Sequence, residues 1–141
     1  MKYFIIMIAI ITSLGCNGQK REVTETPLIT VIKLQAAEAN LNFEEAKKYI
    51  DFEAAFKKHP ESENPEKEWK EMVSFFYNLG NTKKFTNQFK YFNYKINEVV
   101  EKSRAKVIFT TINKGSRIKE IIYSLEKREK NWVVINIEYT N

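Results

Sequence analysis

Leu125-Glu126-Lys127-Arg128-Glu129-Lys130-Asn131-Trp132-Val133-Val134 is the stretch on which the fold turns. Four polar residues, Arg128 to Asn131, separate two segments rich in β-branched and aromatic side chains, which is the pattern of a hairpin. Working outward, Ile118 to Lys127 is predicted as one strand and Trp132 to Tyr139 as the last. Upstream, Ala105 to Ile112 predicts another strand, closed by the turn Asn113-Lys114-Gly115-Ser116. Phe89 to Glu101 places Phe92, Tyr94, Ile96 and Val100 on one parity and Phe89, Tyr91 and Val99 on the other. A strand of that length is expected to bend at a bulge, here near Asn97-Glu98.

Further toward the N-terminus the apolar period changes from two to helical. Thr26 can cap a helix, and Pro27 suits its first turn, where a missing N–H costs nothing. Leu28, Val31, Ile32, Gln35, Ala36 and Ala39 then predict one continuous buried stripe, with Asn40 as the stop. Asn42 and Glu45 form a capping pair for a second helix, whose buried face is Phe43, Ala46, Tyr49 and Ile50. Whether Asp51 to Phe56 continues that helix or makes a separate turn is open at the sequence level. Lys57 to Pro65 is a loop by composition. Asn64 caps a third helix with Pro65 in its first turn, Trp69, Met72, Val73, Phe76 and Tyr77 on its apolar face, and Gly80 at its end. Helices first and an antiparallel meander after them is the α+β order, with N-terminal helices packed on a curved antiparallel sheet.

Two stretches carry a resemblance. They are Ala36-Ala37-Glu38-Ala39-Asn40-Leu41-Asn42-Phe43-Glu44-Glu45-Ala46, running on to Tyr49-Ile50-Asp51, and the closing hairpin quoted above. With them, residues 26–141 resemble the nuclear transport factor 2-like superfamily, the cystatin-like α+β cone. More narrowly, the chain is similar to that superfamily's small bacterial lipoproteins of unknown function. Asn131 stands where a glycine often precedes the Trp, and asparagine tolerates the same left-handed turn. The resemblance implies a sheet that wraps the helices and leaves a cone whose mouth holds a small ligand. Some members are isomerases or dehydratases with an Asp and a His or Tyr in the cone; many have no catalysis, and fold alone does not choose.

The N-terminus carries an address. Lys2 precedes the apolar run Tyr3-Phe4-Ile5-Ile6-Met7-Ile8-Ala9-Ile10-Ile11, which leads through Thr12-Ser13-Leu14-Gly15 to Cys16. This is the pattern of a signal peptide, and the run is shorter than the roughly 20 residues needed to span a hydrocarbon core. Ser13-Leu14-Gly15-Cys16 resembles the bacterial lipobox, in which the cysteine becomes the acylated N-terminus. Cys16 is the only cysteine, so no internal disulfide is possible, and acylation would remove a free thiol from an oxidising compartment. An ordinary cleaved signal peptide and an uncleaved anchor are the other readings. By resemblance, Asn17 rather than Asp after the cysteine favours the outer membrane where the cell has one. The expected layout is 1–15 signal peptide, 16–26 polar tether and 27–141 folded domain. The tether reaches about 30 Å when extended.

Composition bounds the rest. Ten Phe, seven Tyr and two Trp supply core material for one domain of this length. A net charge of +5, spread along the chain, is compatible with anionic lipid or polysaccharide and names no partner. Lys83-Lys84-Phe85 and Phe89-Lys90-Tyr91-Phe92-Asn93-Tyr94-Lys95 interleave bases and aromatics, as single-stranded nucleic-acid binders do, but export argues against that partner. His59, the only histidine, lies in the proline-bounded loop, where a solvent-facing role is the ordinary one. No second His and no free Cys accompany it, so neither a metal site nor any other cofactor is expected.

The candidate acid is Asp51, beside Tyr49 and Phe52 at a helix end, where partial burial would raise its pKa and make it a general base. Capping of backbone amides is the competing reading. Tyr91, Tyr94, Tyr123 and Tyr139 are candidates to line the cone with hydroxyls, against ordinary packing in the core. The ligand-binding candidates are thus Tyr49, Asp51, Tyr91, Tyr94 and Tyr123, with Cys16 as the lipid attachment point. The expected function is a non-enzymatic, membrane-anchored module of the cell envelope that binds a small ligand or an envelope protein. The alternatives are a small cone-pocket enzyme with Asp51 as base and a structural subunit of an envelope complex.

Overall fold

The computed structural model describes residues 25–56, 64–78 and 91–141. The signal-like segment, Cys16, His59, Gly80 and residues 83–90 lie outside them. Among the described residues no helix is long and apolar enough to cross a membrane.

Helix α1 spans Pro27–Ala39, and its N-cap is local chemistry: Thr26 is extended (φ −85°, ψ 159°) and its Oγ1 accepts from the Ile29 amide at 3.3 Å. Asn40 ends it, and Leu41 at φ 53° redirects the chain. The buried face differs from the predicted one. Thr30, Val31, Leu34, Gln35, Ala37 and Glu38 face inward, whereas Ile32, Ala36 and Ala39 are exposed. The inward phase buries Leu34 completely against the sheet and α4 and leaves Ile32 at the surface.

Asn42 caps α2 (Phe43–Ala46) by accepting from the Glu45 amide at 3.2 Å. Helix α2 stops after one turn because the next residues pair with the sheet. The Val134 amide donates to the Tyr49 carbonyl and the Asp51 amide to the Val134 carbonyl, both at 2.8 Å, so Ile50 bridges Val134 in parallel. Asp51 then opens a separate helix, α3 (Phe52–Phe56), by accepting from the Ala54 amide at 2.9 Å. Helix α4 (Pro65–Asn78) starts at Asn64, whose Oδ1 accepts from the Lys67 amide. It buries Trp69 and Val73 and leaves Met72 and Phe76 exposed.

The sheet is four-stranded, antiparallel and open, in the order β1 (Tyr94–Glu101), β2 (Arg104–Thr111), β3 (Glu120–Arg128) and β4 (Asn131–Thr140). Tyr91–Asn93 form a turn of 3₁₀ helix, so β1 begins later than its alternation predicted. Its pairing with β2 runs without a shift, and no bulge falls at Asn97-Glu98. The bulge sits between β3 and β4: Leu125 pairs with Val134 and Ser124 with Asn136, leaving Ile135 as the extra residue. Asn131 is already paired with Arg128, and Glu129 takes the left-handed conformation at φ 55° instead. Lys102, at φ 53°, opens the β1–β2 turn in the same way. Ala105, Val107, Phe109, Ile121, Tyr123, Leu125, Trp132 and Val134 alternate onto one face, where they meet Val31, Leu34, Ala46, Ile50, Trp69 and Val73. Among the described residues the helices therefore cover one face of the sheet, and no element packs on the opposite face.

Candidate ligand pocket

A pocket of about 110 Å³ opens between α1, α4 and the helical face of the sheet. Its floor is buried and its rim is aromatic. Gln35 and Glu38 of α1, Val73 of α4, and Ile121 and Tyr123 of β3 form the buried part. Met72, Phe76 (56% exposed) and Tyr139 (53% exposed) stand at the solvent end, with Tyr77 and Tyr94 completing the wall.

Two polar side chains on successive inward positions of α1 organise this floor. The Gln35 amide is held from both sides: Tyr91 Oη donates to its Oε1 at 2.7 Å, and its Nε2 donates to Tyr123 Oη at 2.9 Å. Tyr77 Oη donates to the Gln35 carbonyl at 3.5 Å. Phe109 braces the tyrosines from β2, with edge-on contacts to Tyr94 and Tyr123 at centroid separations of 6.1 and 5.8 Å. Glu38 is only 8% exposed, and Trp69 Nε1 donates to its Oε1 at 2.8 Å. Its other oxygen, Oε2, has no hydrogen-bond partner among the described residues. Trp69 is itself fixed by an edge contact with Phe43 and by stacking on Phe52.

The electrostatics follow from burial. Desolvation pushes the Glu38 carboxyl up to about 7, and the Trp69 hydrogen bond offsets only part of that rise. Desolvation also holds Tyr77, Tyr91 and Tyr123 above the ordinary phenol value, with the nearby Glu38 adding to the effect at Tyr77 and Tyr123. Tyr139, half-exposed overall, is raised to about 12 by desolvation and by Glu38. Among the described residues no Lys, Arg or His lines the pocket. The site therefore holds an acid whose charge changes near neutrality, with one oxygen unpartnered and no counter-charge among the described residues. It can give a hydrogen bond when protonated and take a cation when ionised.

The sequence candidates divide. Tyr94 and Tyr123 line the pocket, and Tyr91 stands behind it on Gln35. Tyr49 does not: its hydroxyl donates to Glu45 Oε1 at 2.7 Å, which raises its pKa to about 12, and Lys33 lies over its ring. Asp51 does not line the pocket either, and the raised pKa expected of it is absent. Burial lifts this carboxyl, but the Ala54 and Glu53 amides and Arg128, whose Nη2 is 2.7 Å from Oδ2, together hold it below its ordinary value. Asp51 is a helix cap and ion-pair partner in this fold, not a poised base. Sequence reasoning missed Glu38, Gln35 and Tyr77 as site residues. A signal for Glu38 was present: it follows Val31, Leu34 and Gln35 at spacings of seven, four and three, on the face that Leu34 selects.

Wider depressions among the described residues are open to solvent. They lie along α4 beside Glu66 and Lys70, beside Tyr49 and Asn42, and on the far face of the sheet beside Lys106 and Ile135. None is lined by a buried polar side chain. The chain matches no known family model, no curated protein and no solved structure.

Proposed function

We propose that this protein is a lipid-anchored binding module of the cell envelope that holds a small ligand in the Glu38 pocket. One observation carries the binding half: a buried carboxyl, one oxygen of it unpartnered among the described residues, at the floor of an aromatic-walled pocket. A leucine or methionine there would stabilise the fold more, so the acid points to use rather than architecture. The volume is near that of cavities which accept a benzene ring, so the ligand, or the part of it that enters, has few heavy atoms. Support for the anchor is the n-region, apolar run and lone Cys16, with the outer membrane favoured where the cell has one. Helices on one face of an open antiparallel sheet are consistent with a nuclear transport factor 2-like cone.

A second reading, a small enzyme of the isomerase or dehydratase kind, gains one point of support. Its acid–base group would be Glu38 rather than Asp51, because Glu38 titrates close to working pH. The Tyr77, Tyr91 and Tyr123 hydroxyls near Glu38 are engaged with Gln35, so binding is the better account.

Native mass spectrometry of the protein extracted from its own membrane tests both halves at once. The expected spectrum is a chain beginning at Cys16 with acyl mass, plus a small non-covalent adduct that Glu38→Gln loses. An unmodified chain cut elsewhere removes the anchor. An adduct that Glu38→Gln retains moves the binding site away from this pocket.

A further inference from the structure

The chemistry of the pocket narrows its ligand class, on the premise that the pocket binds a ligand at all. We infer that its occupant is a compact alkylammonium ion, with N–H groups on Glu38 Oε2 and on tyrosine hydroxyl oxygens and with its alkyl part against the aromatic wall. Three observations converge. Among the described residues, the ionisable group in the floor that acquires charge near neutrality is an acid, 8% exposed, with one oxygen unpartnered. Among the described residues no cationic side chain lines the pocket to neutralise it or to receive an anionic ligand. The wall is built from Phe76, Tyr77, Tyr94, Tyr123 and Tyr139, whose ring faces attract cations and repel anions.

Binding is then tied to pH through one group. Glu38 is faced by Gln35 from its own helix, by Trp69 and Tyr77 from α4, and by Tyr94, Tyr123 and Tyr139 from the sheet; Tyr91 lies behind Gln35. Trp69 and Gln35 do not titrate, and the hydroxyls of Tyr77, Tyr91, Tyr123 and Tyr139 are held above the ordinary phenol value. An ammonium ion requires ionised Glu38, so its affinity rises as pH passes through about 7. A neutral carbonyl ligand requires the protonated acid and shows the opposite trend.

The test titrates n-propylammonium, n-propanol and n-butyrate separately into the full chain in a non-ionic detergent micelle. The Trp69 indole N–H resonance, one hydrogen bond from Glu38, reports occupancy. The expected result is selective response to propylammonium, with affinity about tenfold higher at pH 8 than at pH 6, as the ionised fraction of a group with pKa about 7 requires. Glu38→Gln should keep the indole hydrogen bond, weaken propylammonium at least tenfold at pH 8, and erase the pH dependence. Preference for propanol or butyrate, or ammonium affinity that is flat or falls with pH, overturns the ammonium class and leaves the binding reading standing. Silence toward all three probes overturns both.

Discussion

A carboxyl that is 8% exposed and bonded through one oxygen weakens the folded state wherever it must ionise. The sign follows from linkage. The folded pKa of Glu38, about 7, lies above the ordinary 4.5, so the protonated form favours folding. Its stabilising contribution is complete below about 4.5, declines as pH rises, and is gone above about 7. The span corresponds to roughly 3 kcal/mol. Glu38→Gln, which cannot ionise, should therefore be more stable than the native chain at pH 8 by up to that amount and level with it at pH 4. Urea unfolding at both pH values reads the difference; a gap that does not widen with pH removes the buried-acid account. Asp51 shows why a residue's role was hard to read from its neighbours. Tyr49 and Phe52 suggested burial, and burial does lift the carboxyl, but the Ala54 amide and Arg128, distant in sequence, together bring it below its ordinary value.

At the scale of elements, caps were legible and faces were not. Thr26, Asn42 and Asn64 each accept from the amide three residues on, as their spacing predicted, because a cap involves only its own turn. The phase of α1 depended on what the helix meets. Ile32 and Leu34 are similar in apolar content, but only Leu34 reaches the core. Leu34→Ala should cost about 2–5 kcal/mol as a buried deletion, whereas Ile32→Ala should cost about 1 kcal/mol or less. Paired denaturant melts decide it, and equal costs would mean that α1 is turned the other way. The bulge was misplaced for a related reason. It belongs to the pairing of Ser124 and Leu125 with β4, a property of two strands that β1's own alternation does not contain.

Over the whole molecule, the short parallel pairing of Ile50 with Val134 ties the helical layer to the edge strand β4. The amides of Asp51 and Val134 make its two hydrogen bonds, at 2.8 Å each, beside buried Ile50, Trp132 and Leu125. Both amides should exchange with solvent only through global unfolding, with protection matching that of the β2–β3 ladder in native-state hydrogen exchange. Loss of that protection ahead of the ladder would show that the helices detach while the sheet survives. The α+β order, the approximate bounds of the last three strands and the starts of α1, α2 and α4 were legible from the sequence alone. Period, capping and turn chemistry act over a few residues, so the linear chain contains them. The inward turn of Glu38, the gathering of Gln35, Tyr77, Tyr91 and Tyr123 around it, and the ordinary role of Asp51 were decided only by tertiary structure. Desolvation and ion pairing are set by residues up to 88 positions apart, as between Gln35 and Tyr123, and no local pattern records them.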